Sequence, residues 1–384
     1  MRMPSTEITT EIPAPLGREQ PQLAQLLDRP GTRVVLLAGS RNPNAKITLI
    51  LLDDYGPSFV IKVPTTRDAA QVVQNEGTLL RQLADLGLGR LATTLPRPIG
   101  YLASGALPAL ASTALVGTQM AVRYHAWRHT ARQRRVRADF TAAGDWLADL
   151  QRRTAGQPGP VTLLADCLDA IEARFADHPD VAMLRARLAT AAGRLAGEHT
   201  PRTVVHGDYW FGNLLVDRGR VVGVVDWECG DLAGEPLRDV ARFAVSYALY
   251  LDRHVRPGAR VPGHRGLYAD RWGAGIAHAV AGRGWFGALV REHVSGALER
   301  LGVSGERWRD LLIAGVAEIA ATADHPDFAR AHLDLLVAIV RSDGIGEEDS
   351  TAAGQPGPAD PPQPSDAADG NEPAGAPDAA GVVA

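Results

Sequence analysis

The stretch His206-Gly207-Asp208-Tyr209-Trp210-Phe211-Gly212-Asn213 decides the fold, together with Asp226-Trp227-Glu228, which begins thirteen residues after its last residue. Asp208 and Asn213 lie on one loop, so each can present an oxygen to a single site. Between the two motifs, the turn sequence Asp217-Arg218-Gly219-Arg220 separates two short apolar runs, which predicts a β-hairpin. The hairpin would fold the chain back and bring Asp226 near Asn213.

These oxygens suit one kind of chemistry, the transfer of a phosphoryl group from a nucleotide. That reaction needs a carboxylate that orients the acceptor hydroxyl, and hard oxygen ligands that hold Mg²⁺ against the phosphates. Asp208, Asn213 and Asp226 supply these groups. The alternative interpretation is a loop whose acidic residues only cap helices.

The full pattern, H-G-D-x-x-x-x-N, a hairpin and D-W-E, resembles the aminoglycoside phosphotransferase and choline kinase family of small-molecule kinases, relatives of protein kinases. The similarity continues through residues 234–241 (GEPLRDVA), which match the family's G-[DE]-P-x-x-D-x-A. The resemblance implies that Asp208 is the catalytic base, that Asn213 and Asp226 bind Mg²⁺, and that ATP is the phosphoryl donor.

The chain before this motif predicts a small antiparallel sheet with one helix. Short apolar runs separated by turns indicate neighbouring antiparallel strands. The predicted strands are Arg33–Ala38, Lys46–Leu52, Phe59–Val63, Pro98–Leu102 and Ala109–Val116. Asp68–Leu86 has apolar residues at helical spacing and is the predicted helix.

Beyond Gly117 the pattern is mostly helical. Helices are predicted at Asp139–Arg153, Leu163–Phe175 and Val181–Ala196, and then from about Pro236 to Arg341. The expected fold class is α+β, a protein kinase-like fold of two lobes with the hairpin in the larger, helical lobe. The expected divisions are a weakly ordered lead-in (1–24), a nucleotide-binding lobe (25–118), a catalytic and acceptor-binding lobe (119–344) and a disordered acidic tail (345–384).

Lys62 gives independent support for a nucleotide site. The chain has 40 Lys and Arg residues, of which only Lys46 and Lys62 are lysines. Lys62 lies inside the apolar run Phe59–Val63, which resembles the V-A-I-K strand of kinases, and a compact ammonium suits a bridge to phosphates. Glu76, on the predicted helix, is its expected acidic partner, whereas a solvated lysine paired by accident is the alternative. Lys46 begins its strand beside a turn and is expected to be ordinary.

The loop expected to cover the phosphates is less typical. It has one glycine, Gly39, where protein kinases have three. Gly39 and Ser40 are the predicted phosphate contacts, with Arg41 as the alternative to Ser40. Adenine is expected to dock against the backbone near Ala114 and Val116, where the last strand of the sheet ends.

Four other residues in or near the motifs are predicted to have structural roles. His206 is expected to be a buried residue that shapes the loop rather than a catalytic acid. Trp210 and Phe211 are expected to pack rather than stack on a substrate, and Asp239 to organise the loop rather than bind a metal.

The distribution of charged residues along the sequence indicates what charge the acceptor carries. Arg123 to Arg137 contains six arginines, and Leu251 to Asp310 contains ten arginines against six acidic residues. A pocket for a polycationic aminoglycoside would be acidic, so the pattern favours a neutral or anionic hydroxylated acceptor, for example a sugar, a polyol or a phosphorylated alcohol. The alternative is that most of these arginines are solvated helix faces.

Composition excludes several other classes. The net charge of −4 and the pI near 6.3 give no general reason to expect nucleic-acid binding. Residues 345–384 hold eight acidic residues and no Lys or Arg, so residues 1–344 carry a charge of +4. No apolar run is long enough to cross a membrane, and two distant cysteines rule out a disulfide framework, so a cytoplasmic location is expected.

The predicted function is therefore an ATP-dependent kinase of a small hydroxylated molecule. The alternative is a catalytically weak, nucleotide-binding regulator or scaffold of the same fold, with the acidic tail as an arm that docks on a protein partner. Protein kinase activity is disfavoured, because H-G-D replaces the H-R-D motif of those enzymes.

Overall fold

The computed structural model describes residues 32–38, 45–104 and 107–342. Gly39 and Ser40 lie outside these residues, as do the lead-in (1–24) and the acidic tail (345–384). The predictions that fall on them concern parts of the chain that the structure does not describe.

A five-stranded antiparallel sheet forms the amino-terminal lobe, in the spatial order β1-β2-β3-β5-β4. Its strands are β1 (Arg33–Ala38), β2 (Lys46–Asp53), β3 (Gly56–Pro64), β4 (Pro98–Ser104) and β5 (Leu107–Thr113). Buried apolar side chains from the four strands β2 to β5 make the core of this lobe, and they are Leu49, Leu51, Phe59, Ile61, Ile99, Leu102, Ala109 and Ala111. The predicted sheet is therefore present, with each strand close to its expected bounds.

One helix, α1 (Arg67–Asp85), links this sheet to the second lobe. The hydroxyl oxygen of Thr66 accepts a hydrogen bond from the Ala69 amide at 3.0 Å and caps the helix start. Toward its end, Leu79, Leu80 and Leu83 join the large apolar core of the carboxy-terminal lobe. Because α1 packs against both lobes, the buried side chain of Glu76 in its middle lies in the cleft between them.

The second lobe is mostly helical. Its helices are α2 (Met120–Tyr124), α3 (Gln133–Thr154), α4 (Leu163–Arg174), α5 (Val181–Ala196), α6 (Leu237–Leu249), α7 (Ala274–Val280), α8 (Gly284–Arg300), α9 (Trp308–Thr322) and α10 (Pro326–Ser342). Short 3₁₀ turns occur at Gly89–Thr94, Phe211–Asn213 and Gly305–Arg307. No helix of the described chain is long and apolar enough to span a lipid bilayer.

Short strands carry the motifs across the face of this helical lobe. They are β6 (Thr118–Gln119), β7 (Pro158–Pro160), β8 (His199–Pro201), β9 (Thr203–Val205), β10 (Leu214–Asp217), β11 (Arg220–Val224) and β12 (Asp231–Gly234). β10 and β11 form the predicted hairpin, and both turn residues, Arg218 (φ +47°) and Gly219 (φ +76°), have the positive φ typical of a two-residue turn. The hairpin thus returns the chain to Asp226, as expected.

The structure corrects the sequence prediction in two places. β5 ends at Thr113, so Ala114 and Val116 lie in the connection that follows the sheet. The predicted run of helices from Pro236 to Arg341 is interrupted between α6 and α7, where residues 250–273 form turns. Pro257 and Pro262 lack the amide donor that a helix needs, and Gly258, Gly263 and Gly266 adopt positive φ.

Two helical glycines provide a test of how tightly the helical lobe is packed. A Cβ at Gly315 on α9 would lie 2.8 Å from the Cβ of Ala241 on α6, whereas one at Gly193 on α5 would meet nothing within 4 Å. We expect Gly315→Ala to lower the free energy of unfolding by about 1–2 kcal/mol, because this overpacking outweighs the gain in helix propensity.

The matched control is Gly193→Ala, which should raise the free energy of unfolding by up to about 1 kcal/mol. Urea unfolding followed by circular dichroism measures both values. Equal stabilisation by the two substitutions would show that α9 and α6 are not in close contact.

Candidate active site

The ammonium of Lys62 lies between two carboxylates that come from different lobes. Its Nζ donates to Glu76 Oε1 at 2.6 Å, Glu76 Oε2 at 2.7 Å and Asp226 Oδ1 at 2.8 Å. Lys62 is on β3, Glu76 on α1, and Asp226 directly follows the hairpin in the helical lobe. The pair predicted from sequence is present, and the structure adds Asp226 as a third member.

Burial and charge act against each other in this cluster. Burial lowers the pKa of Lys62, but the carboxylates of Asp226 and Glu76 outweigh burial and hold that pKa above its usual value. Burial likewise raises the pKa of Asp226, but the neighbouring ammonium of Lys62 outweighs it and holds that pKa well below its usual range. Both groups are therefore charged at neutral pH.

Asp226 adopts a backbone conformation that its neighbours must enforce. Its φ is +68°, in the left-handed region that is uncommon for residues other than glycine. Before it, the Val225 amide donates to the carbonyl of Asn213 at 3.0 Å, and after it, the Trp227 amide donates to Glu76 Oε1 at 3.2 Å. These contacts hold the strained residue beside both Asn213 and the Lys62 cluster.

The loop that carries Asp208 is shaped by two buried side chains, His206 and Asp239. Asp239 accepts hydrogen bonds from the amides of His206 (2.7 Å) and Gly207 (2.9 Å). The Asp208 amide donates to Nδ1 of His206 at 3.2 Å, which places the ring proton on Nε2, and Nε2 donates to the carbonyl of Val225 at 2.9 Å. The structural roles predicted for His206 and Asp239 are confirmed.

Gly207 is a position in this loop that requires glycine both for its backbone conformation and for lack of space. Its φ is +78°, and an added Cβ would lie 2.1 Å from the carbonyl oxygen of Cys229. The loop therefore passes very close to the segment that follows Asp226-Trp227-Glu228. This close approach brings the two motifs together.

The carboxylate of Asp208 has two partners. Asn213 Nδ2 donates to its Oδ2 at 3.2 Å, and Arg242 donates to its Oδ1 through Nε at 2.8 Å. A second nitrogen of Arg242, Nη2, lies 2.6 Å from the same oxygen. About a quarter of the Asp208 side chain, 27%, remains exposed to solvent. One oxygen is thus held by a cation, while the other keeps only a weak hydrogen bond.

Arg242 was missed by sequence reasoning. It lies on α6 among many other arginines of the chain, and no motif distinguishes it. Burial lowers the pKa of Arg242, but Asp208 and Glu318 outweigh burial and hold it above its usual value. Burial in turn raises the pKa of Glu318 to about 7, although Arg238, 2.7 Å away, and Arg242 oppose that shift.

The prediction that Lys46 is an ordinary strand-end lysine is wrong. Its Nζ lies 3.7 Å from Asp226 Oδ1 and also contacts the carboxylate of Glu228, and its side chain is only 13% exposed. Burial lowers the pKa of Lys46, which Asp226 partly offsets. The signal that could have found it is compositional, because Lys46 and Lys62 are the chain's two lysines.

The oxygens of this cleft fit a divalent cation. Carboxylate oxygens of Glu76, Asp226 and Glu228 all lie within 4.8 Å of one another. The amide nitrogen of Asn213 is used by Asp208, so its amide oxygen is the atom available to a cation. Oxygen ligands of this kind are those that Mg²⁺ prefers.

An open cavity lies beside Lys62, between the sheet and the hairpin. Its lining residues are Val60, Lys62, Glu76, Pro96, Leu110, Ser112, Thr113, Leu115, Val225 and Asp226. Leu115 lies between the predicted adenine-binding positions: the Ala114 amide donates to the carbonyl of Ser58 at 2.9 Å, and the Val116 side chain is largely exposed. The cavity is apolar at one end and charged at the other.

Aromatic residues and histidines lie on the other side of the Asp208 loop. Phe211 is buried and stacks on Tyr124 with ring centroids 4.4 Å apart, which agrees with the packing role predicted for it. His125 and His254 contact each other at 3.0 Å, and the guanidinium of Arg253 lies over the ring of Tyr250 at 5.3 Å. Tyr250 packs against Trp210 and Phe211, so this surface adjoins the loop of Asp208.

The sequence profile of the phosphotransferase enzyme family matches residues 39–275, which include Lys62, Glu76, Asp208, Asn213 and Asp226. The chain belongs to this phosphotransferase family. The family predicted from the H-G-D and D-W-E motifs is thereby confirmed. No curated protein sequence gives a significant match to the chain.

Solved structures similar to this family member include three antibiotic phosphotransferases. A thermostable mutant of aminoglycoside phosphotransferase APH(4)-Ia is 16% identical, with a TM-score of 0.49 over 82% of this chain and 96% of the other. The streptomycin–ATP–APH(2″)-IIa complex is 12% identical (TM-score 0.46; 83% and 94%). Macrolide 2′-phosphotransferase MphH from Brachybacterium faecium is 19% identical (TM-score 0.43; 83% and 97%).

The contacts of Asp239 predict how far this phosphotransferase depends on it for stability. In Asp239→Asn, one carboxylate oxygen becomes an amide nitrogen that faces a backbone N–H, so one buried donor loses its acceptor. We expect the free energy of unfolding to fall by about 2–3 kcal/mol, measured by urea unfolding. Asp217→Asn, at the exposed hairpin turn, is the control and should change it by less than about 0.5 kcal/mol. Equal effects of the two would contradict the role of Asp239.

Proposed function

We propose that the protein transfers the γ-phosphoryl group of ATP to a hydroxyl of a small molecule, such as a sugar, a polyol or a phosphorylated alcohol. The observation that carries this proposal is the convergence of Lys62, Glu76 and Asp226 from two lobes, beside the loop that presents Asp208. A buried ammonium and several carboxylates around one cavity are what a magnesium–polyphosphate ligand requires.

The donor nucleotide would occupy the cavity between the lobes. Its base would lie at the apolar end, near Leu115 and the adjoining backbone of Ala114 and Val116, and its phosphates at the Lys62 end. Asn213 and Asp226 would hold Mg²⁺, which neutralises charge on the phosphates when bound. Glu76 keeps the Lys62 ammonium charged and directed toward the phosphates.

Asp208 would orient the acceptor hydroxyl. Arg242 holds Oδ1 of Asp208. Oδ2 is therefore the oxygen that can accept a hydrogen bond from the acceptor hydroxyl. The contact with Arg242 fixes the direction of the carboxylate, which suits an oxygen that positions the nucleophile. The hydroxyl oxygen would then attack the γ-phosphorus while the bond from that phosphorus to the β,γ-bridging oxygen breaks, with ADP as the leaving group. The hydroxyl proton would pass to Asp208 as the new bond forms.

The charge beside Asp208 bears on the class of acceptor. Arg242 contacts the carboxylate itself, and Arg253 lies on the adjoining aromatic surface. A polycationic acceptor would meet these positive groups, whereas a hydroxylated neutral or anionic molecule would not be repelled. Some arginines counted in the sequence do not contribute, for example Arg137, which pairs with Glu292 on α8.

A panel of acceptors tests this function. The full chain is incubated with ATP, Mg²⁺ and single sugars, polyols, phosphorylated alcohols or aminoglycosides, and mass spectrometry detects the added phosphoryl group. We expect turnover of neutral or anionic acceptors to exceed that of aminoglycosides. Saturable turnover of kanamycin would overturn the proposed acceptor class, and nucleotide binding with no product from any acceptor would favour the regulator or scaffold alternative.

Substitutions of Asp208 and Asp226 should impair different steps of the reaction. Asp208→Asn is expected to lower kcat by a factor on the order of 10² to 10⁴, with little change in the Kd of Mg-ATP, because Asp208 acts on the acceptor. Asp226→Ala should instead abolish the increase in ATP affinity that Mg²⁺ produces. Calorimetric titration and steady-state kinetics separate the two effects, and equal ATP affinity in both variants would count against these roles.

A further inference from the structure

Both lysines of the chain end at the same carboxylate. Of the 40 Lys and Arg residues, 38 are arginine, yet the Nζ atoms of Lys62 and Lys46 lie 2.8 Å and 3.7 Å from Asp226 Oδ1. The chain uses arginine at nearly every position where a positive charge is present. The presence of lysine at the two positions whose side chains meet at Asp226 Oδ1 indicates that the surroundings of this oxygen require an ammonium.

The sheet register explains how the two side chains meet. In the β2–β3 pair, Lys46 lies opposite Pro64 and Thr48 lies opposite Lys62. Side chains two residues apart on a strand share one face of a sheet, so Lys46 and Lys62 project from the same face of adjacent strands. That face looks onto Asp226, and the two ammoniums approach it from neighbouring positions.

The present partners of Lys46 are carboxylates that could instead bind a divalent cation. Its Nζ is buried and, among the described residues, contacts Asp226 and Glu228 without a hydrogen bond of good geometry. Lys62, by contrast, has Glu76 as a second partner through both carboxylate oxygens. If Asp226 turns toward Mg²⁺, Lys62 keeps Glu76, whereas the buried ammonium of Lys46 needs another anion.

We propose that Lys46 is a second polyphosphate-binding residue, which donates to phosphate oxygens of the nucleotide beside Lys62. The inference rests on the proposed function, since it places the nucleotide in the same cavity. In the free protein Glu228 pairs with Lys46 where the phosphate would lie, and this ion pair joins β2 to the D-W-E segment. The nucleotide exchanges that carboxylate for its own phosphate oxygens.

A lysine fits this place better than an arginine. An ammonium is a compact charge whose three donors can reach oxygens of different groups, whereas the guanidinium is a wide planar fork. Two guanidiniums could not both approach one carboxylate oxygen and the phosphates beside it. The side chain of Lys46 is only 13% exposed, so little room remains for a larger head group.

The experiment compares nucleotide affinity with nucleoside affinity by calorimetric titration of the full chain. ATP with Mg²⁺ and adenosine alone are titrated into the wild type, Lys46→Met and Lys46→Arg. We expect Lys46→Met to weaken ATP binding by about tenfold or more, the range of a hydrogen bond between charged groups, and to leave adenosine binding unchanged. Lys46→Arg should also bind ATP more weakly than the wild type, although it keeps the charge.

Arg33→Met is the matched control. It removes one positive charge from the same sheet, and its β2 partner, Leu52, is about 20 Å along the strand from Lys46. ATP affinity should not change in this variant. If Lys46→Met does not fold, as its adenosine affinity and circular dichroism would show, Lys46→Arg decides the question.

The outcomes separate this inference from the proposed function. Wild-type affinity for ATP in Lys46→Met or Lys46→Arg overturns the role of Lys46, while the proposed kinase stands. Equal loss of ATP and adenosine affinity in a folded Lys46→Met also overturns it, because Lys46 would then support only the shape of the cleft. Absence of ATP binding by the wild type itself overturns the proposed function and this inference with it.

Discussion

The buried ammonium of Lys62 is the constraint on which the arrangement of the two lobes depends. An unpaired charge at a position 6% exposed is costly, so β3 must lie where both Glu76 and Asp226 can reach it. Buried ion pairs contribute little net stability, because desolvation offsets their attraction. What they do here is specify geometry: they align the sheet, α1 and the end of the hairpin around one cavity.

The two aspartates of the cleft are paired with different cations. Asp226 lies between two lysines on the sheet, whereas Asp208 is held by Arg242 on α6. Each carboxylate therefore has its own charge partner. The loop that carries Asp208 is held by Asp239 through the backbone amides of His206 and Gly207.

Residues recognised from the sequence are those that belong to a local pattern. The strands and the hairpin could be predicted because apolar runs alternate with turn residues. Asp208, Asn213 and Asp226 could be predicted because they lie in a motif of known spacing. The contact of Arg242 with Asp208 could not be placed, because it joins elements distant in sequence, which no period or spacing encodes. The same holds for the contact of Glu228 with Lys46, although Glu228 itself lies in the D-W-E motif. The turns at 250–273 were missed although Pro257 and Pro262, each followed by a glycine, mark them in the sequence.

Lysine and arginine carry different amounts of information in this chain. When 38 of 40 basic residues are arginine, the presence of arginine says little about what a position needs, and a role for Arg242 has to be argued from its contacts with Asp208 alone. A lysine departs from that bias, so its position is informative from the amino-acid sequence by itself. This argument identified Lys62 through its apolar strand and, applied without regard to the neighbouring turn, would have identified Lys46 as well.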